Sequence, residues 1–112
     1  MGGGMSEVVV VVTARARPGR GDELLDMFGE LATATHAEEG CVLFALHRAH
    51  GDRDRIALVE RWASRDALDA HLAAPHLAAF RRDSAELFAE PSSITVAEPV
   101  PAGDTAKGTL AG

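Results

Sequence analysis

Five histidines, one tryptophan and one cysteine carry most of the chemistry open to this chain, which contains no Asn, Gln or Tyr. Any mechanism that needs a side-chain amide or a phenol is therefore excluded. His71 sits between Leu68 and Leu72 at helical spacing, on or beside the core-facing stripe. Imidazole is the side chain best matched to proton transfer near neutrality. The bland alternative is a structural histidine bonded to a backbone carbonyl. Glu60 alternates with Ile56, Leu58 and Trp62 on one strand face. A carboxylate among such neighbours must be paired with an Arg, protonated or functional. Trp62 is either a flat wall with one N–H donor or plain core packing. His76 follows Pro75 one turn before Phe80. At a helix start it could serve as base or oxyanion donor, or merely staple the kink. His47 shares a face with Cys41, Leu43 and Ala45 and is a further candidate to enter a pocket, with Phe44, Leu68 and Phe80 as apolar walls.

The other reactive groups read as structural. His50 falls in a polar turn, and His36 ends a helix where a cation suits the dipole. The spacing of His71 and His76 matches neither H-x-x-x-H nor H-E-x-x-H, so no metal site is expected. Cys41 reads as a small core residue. Pro18-Gly19-Arg20-Gly21 matches no nucleotide fingerprint.

The elements that must position these groups follow from periodicity. Glu7 to Arg17 opens with a valine run, the pattern of a strand covered on both faces. From Gly21 to Glu39 the apolar residues Leu24, Phe28 and Leu31 form one helical stripe, with Asp22 favouring its start and Gly40 stopping it. Gly29 inside that helix suggests close packing. Cys41 to Arg48 and Arg55 to Trp62 alternate as strands around the turn His50-Gly51-Asp52-Arg53-Asp54, which implies a hairpin. Ser64 is a good N-cap, Pro75 permits a kink and restart, and the helical stripe runs on to Phe88. Ser93 to Glu98 forms a last short strand. The order β-α-β-β-α-β is the split βαβ motif, so the expected fold is α+β and ferredoxin-like, with helices on one face of a four-stranded antiparallel sheet. Apolar residues at both parities of the first two strands call for a cover on the second face, and a second copy is the simplest candidate.

Bulk properties narrow the classes. A chain of 112 residues with a net charge of -6 is one domain with no basic surface for nucleic acid, and it would be repelled by anionic membranes. No apolar run approaches the length of a membrane span. One cysteine permits no internal disulfide, which fits a cytoplasmic setting. Residues 1–6 read as a flexible leader, 7–98 as the domain, and 99–112 as a disordered tail.

Three stretches carry a family likeness: Ala16-Arg17-Pro18-Gly19 before the long helix, Ala37-Glu38-Glu39-Gly40-Cys41 at the start of the second strand, and Val59 to Leu72 followed by Pro75-His76 and Phe80. Together they resemble the antibiotic biosynthesis monooxygenase (ABM) domain family of dimeric α+β barrel proteins. The resemblance implies a homodimer with sheets packed face to face. It also implies oxidation of a quinol or aromatic substrate by O₂ with no cofactor. Such chemistry asks for a base, a donor to the developing oxyanion and a dry apolar site. Haem-degrading relatives use an Asn that this chain lacks, and antibiotic-tailoring relatives use Tyr and Asn, also lacking.

The expected function is a cofactor-independent monooxygenase acting on a quinol or small phenol, with His71, Trp62 and His76 as catalytic candidates. Glu60, Phe44, His47, Phe80 and Leu68 are the expected substrate-binding residues. The alternatives are sequestration of a hydrophobic aromatic metabolite without turnover, and a proton-shuttling isomerase or cyclase using the same pocket.

Overall fold

The computed structural model describes residues 6–110. The expected leader lies almost wholly outside the described residues. Strands β1 (Val8–Arg15), β2 (Cys41–Arg48), β3 (Arg55–Trp62) and β4 (Ser93–Ala97) alternate with helices α1 (Gly21–His36), α2 (Arg65–Leu72) and α3 (Pro75–Ser84). The sheet order is β2-β3-β1-β4, and every neighbouring pair is antiparallel. The chain thus adopts the expected α+β ferredoxin-like fold. No helix among the described residues is long and apolar enough to cross a membrane.

Alternation along β3 sets the core. Ile56, Leu58, Glu60 and Trp62 are buried beneath the helices, while the residues between them are half-buried on the outer face. Val10 pairs with Glu60 and Val12 with Leu58, so the inner residues of β1 extend the same layer. Leu24, Phe28 and Leu31 of α1 close over it. Each such side chain contributes about 1.5–3 kcal/mol by leaving water. The outer face stays apolar, with Val9, Val11, Leu43, Ala45 and Val59, and Val11 is 41% exposed.

Three local features differ from the sequence expectation. A bulge between Cys41 and Leu43 sets Cys41 opposite Trp62 and Leu43 opposite Arg61. The extra residue breaks the parity, so Cys41 packs against the core while Leu43, Ala45 and His47 pair along the outer face. The last helix stops at Ser84 and passes into a 3₁₀ turn at Ala85–Leu87 rather than running to Phe88. There the Ser84 hydroxyl donates to the Phe80 carbonyl at 2.6 Å, a back-bond that loosens a helix end. Gly29 meets nothing that a Cβ would touch, so packing does not demand it. Gly40 is the position that does: a Cβ there would collide with Ala67, and its absence lets the connection after α1 lie against α2.

Beyond β4, Gly108 N–H donates to the Asp104 carbonyl at 2.7 Å. Arg61 on the outer face donates to the carbonyl of Leu110.

Asp22 does not cap α1. Its carboxylate binds Arg48 and Arg53 instead. Helix α1 takes its cap from a distance: Asp54, in the hairpin between β2 and β3, accepts from Gly21 N–H at 2.9 Å and Gly19 N–H at 3.1 Å. Asp54→Ala leaves both donors without that acceptor and should cost about 1–2 kcal/mol, read as a lower urea midpoint at unchanged slope. An unchanged midpoint would show that water replaces the cap at no cost.

Candidate active site

Four elements converge on one cluster of rings and carboxylates. Glu38 lies in the short connection between α1 and β2, His71 on the last turn of α2, His76 on the first turn of α3, and Trp62 at the end of β3. One oxygen of Glu38, Oε2, lies 2.7 Å from His71 Nδ1 and 2.7 Å from His76 Nε2. A carboxylate oxygen only accepts, so both ring nitrogens donate to it. In the neutral ring this puts the His71 proton on Nδ1 and leaves Nε2 with its lone pair. Nε2 has no hydrogen-bond partner among the described residues.

Packing holds His71 as firmly as the hydrogen bond does. The residue is 3% exposed. Its ring stacks on Trp62 with centroids 4.6 Å apart and planes at 33°, and Phe44 meets it edge-on at 5.8 Å. Helix α2 is short but well begun, because Ser64 Oγ accepts from Ala67 N–H at 3.1 Å. Pro75 then restarts the chain as α3 and swings His76 back toward Glu38.

Beside this cluster, between the helices and the inner face of β1 and β4, lies a cavity of about 530 Å³. That is within the range of small-molecule sites, about 300–1,000 Å³. Its walls are mostly apolar, with Val10, Val12, Phe44, Leu58, Leu68 and Phe80 among them. His71 and Glu60 are the buried polar residues that reach it, and Arg81, Glu90 and Ser92 lie toward its rim. Ile94 and Val96 of β4 line the same space while 60% and 50% exposed, so the cavity opens along that edge.

Among the described residues Glu60 has no arginine partner. Its Oε1 accepts from Trp62 Nε1–H at 2.9 Å. Burial pushes its carboxyl above the usual range, against the pull of the Trp62 hydrogen bond and of His71; the negative charge of Glu38 adds to the rise. The two carboxylates beside His71 thus differ in kind. Glu38 is bound by two imidazoles, whereas Glu60 sits in an apolar wall that favours its neutral acid form.

The expected site residues separate into groups. His71, Glu60, Phe44, Phe80 and Leu68 line the cavity together. Trp62 is fully buried behind His71 and is not part of the cavity wall. His76 also stands outside the wall; it is bound to Glu38 and its ring lies 6.1 Å from that of His71. His47 does not enter the pocket: it is exposed and pairs with Ala57 on the outer face, opposite the helices. Its parity, shared with Leu43 and Ala45, places it there. Sequence reading missed Glu38 and Arg81. Glu38 stood in a recognisable stretch at the start of the second strand, but nothing in its spacing linked it to His71. Arg81 makes no ion pair among the described residues and could be found only once the cavity was known.

The site is thus an apolar cavity in a ferredoxin-like domain, with a carboxylate-held imidazole on its wall. Comparison with known proteins gives the family. The antibiotic biosynthesis monooxygenase (ABM) family model matches residues 7–83, and the chain belongs to that family. It is 34% identical over 95 residues to "Putative monooxygenase Rv0793" of Mycobacterium tuberculosis, covering 85% of this chain and 93% of that one. It is 32% identical over 83 residues to "Probable quinol monooxygenase YgiN" of Escherichia coli K12, covering 65% and 80%. The solved structure of Rv0793 superposes with a TM-score of 0.80 over 88% of this chain and 100% of that chain. A Caulobacter crescentus structure at 24% identity also reaches 0.80, over 87% and 92%, and shows the shared fold.

Through its burial the Glu60 carboxyl makes stability depend on pH. Its raised value means the folded state holds the proton more tightly than the unfolded state. Stability from this group is complete below the ordinary glutamate value, 4.5, and is lost as pH rises through the raised value. Glu60→Gln keeps an acceptor for Trp62 and removes the titration. Across that window, urea unfolding should show wild type losing stability relative to the variant as pH rises. Parallel profiles would mean that the buried carboxyl does not titrate differently in the two states.

Proposed function

We propose that the protein is a cofactor-independent monooxygenase that oxidises a phenol or quinol with O₂ in the cavity. The observation that carries this reading is the His71–Glu38 pair, which occupies Nδ1 and leaves Nε2 unbonded on a residue that lines an apolar, substrate-sized cavity. Membership of a family named for monooxygenases supports it, as does the quinol named for one relative.

For a naphthol the overall balance is ArH(OH) + O₂ → quinone + H₂O: one oxygen atom enters the ring and the other leaves as water. His71 Nε2 takes the phenolic proton, and Glu38 stabilises the imidazolium so formed, with His76 bound to the same oxygen. The phenolate passes one electron to O₂, and the radical pair joins at the para carbon as a peroxide. The His71 imidazolium returns its proton to the peroxide anion, giving a hydroperoxide. Neutral His71 then takes the ring C–H proton as the O–O bond breaks, which forms the second carbonyl and expels hydroxide. Glu60, whose proton burial holds more tightly than in water, is the group to protonate that hydroxide, and the proton on His71 passes on to restore it. The Arg81 guanidinium at the rim offers a charge for an anionic substrate oxygen. The apolar walls admit O₂ and keep water from the radical pair.

The test is oxygen uptake with 1-naphthol above its autoxidation rate. His71→Ala should lower kcat/KM by about 10²–10⁴-fold, the usual weight of a general base. Glu38→Gln should lower it less and move the pH profile. Saturable quenching of Trp62 fluorescence with no product would favour sequestration instead, and turnover without O₂ would favour an isomerase or cyclase.

The same reading seats a second copy of the chain on the outer sheet face. The half-exposed valines and leucine there support it, since an uncovered apolar face of that extent is unusual in a monomer. Sedimentation should give a dimer for wild type and a monomer for Val11→Glu. A wild-type monomer would rule the pairing out.

A further inference from the structure

The proposed base and the two side chains joined to it, directly or through a shared oxygen, have the composition of a metal centre. Glu38, His71 and His76 offer one ligand atom each, all within 4.8 Å of one another, and no other such group of three occurs among the described residues. The geometry points to a site for a divalent transition-metal ion, with Zn²⁺ as the best fit. Two imidazoles and one carboxylate are a donor set that Zn²⁺ accepts with one position left open.

The distances allow it. In a tetrahedral site with ligands about 2.0–2.1 Å from the ion, donor atoms stand about 3.3 Å apart. Each histidine nitrogen now lies 2.7 Å from Glu38 Oε2, so these contacts must open by about 0.6 Å, while the two nitrogens, within 4.8 Å of each other, must settle at the same spacing. The two outer ligands have that room. His76 has a side chain 30% exposed at the first turn of α3, and Glu38 sits in a connection rather than a helix. His71 is the fixed member, held between Trp62 and Phe44.

The ion would do more than occupy space. To bind it, His71 must offer the Nδ1 lone pair, so the ring proton moves to Nε2. The nitrogen facing the substrate then changes from acceptor to donor, and metal loading switches the proposed base off. This inhibitory consequence rests on the proposed function, while the binding itself does not.

Both parts can be tested on the full chain freed of metal by a chelator. Co²⁺ titration should bring in visible d–d absorption of tetrahedral intensity, saturating at one ion per chain and abolished by Zn²⁺. His76→Ala, which removes a partly exposed ligand, should weaken Co²⁺ binding about 100-fold or more, whereas His50→Ala should leave it unchanged. Absence of the bands, or equal binding by His76→Ala and wild type, would overturn the site. Zn²⁺ should also suppress naphthol-dependent oxygen uptake in wild type. Stoichiometric binding without inhibition would keep the metal site and defeat the role of His71 as base.

Discussion

The site depends on a single carboxylate oxygen shared by two imidazoles. Glu38 lies outside every helix and strand, yet it ties together the connection after α1, the end of α2 and the start of α3. Hydrogen bonds to an ionised acceptor are about twice as strong as neutral ones, and this pair is largely withdrawn from water. Their consequence is a choice of tautomer. A histidine with both nitrogens free would present either face to the cavity. With Nδ1 engaged, His71 presents a defined one. The same dependence makes the arrangement reversible: whatever replaces the shared protons, a cation included, rewrites the chemistry of the nitrogen on the other side of the ring.

The neighbouring Glu60 shows how environment sets the character of a carboxyl group. It lies on the same inner layer as the apolar residues of β1 and β3, with one indole N–H as its partner. Burial favours its neutral form, so it is suited to give a proton, while the histidine behind the Glu38 contact is suited to take one. Trp62 links the two. It donates to Glu60 with its edge and packs against His71 with its face. Its contribution is therefore to position both groups, although it never reaches the cavity.

The fold supplies these contacts through a few local devices. Gly40 removes the Cβ that would hold the Glu38 connection away from α2. Pro75 restarts the helix so that His76 turns back rather than continuing outward. The bulge at the start of β2 turns Cys41 inward beside Trp62 and sends the rest of its parity, His47 among them, to the opposite face. None of these is costly alone, but each changes which side chains can meet.

Periodicity and composition by themselves determined the element order, the pairing of the central hairpin and the face of β3 that carries Glu60, and they put His71 on or beside the core-facing stripe of its helix. These are consequences of spacing along one chain segment: a period of two or of 3.6 residues decides which side chains share a face. The motifs around Trp62 and His71 were likewise local enough to indicate the family. Only the tertiary structure decided that Glu38 is the partner of both histidines, that His47 lies on the wrong face and that Arg81 stands at the cavity rim. Glu38 and His71 are separated by 33 positions. No periodicity spans such a gap, because the contact is made by the way helices and connections pack, not by where residues fall along them.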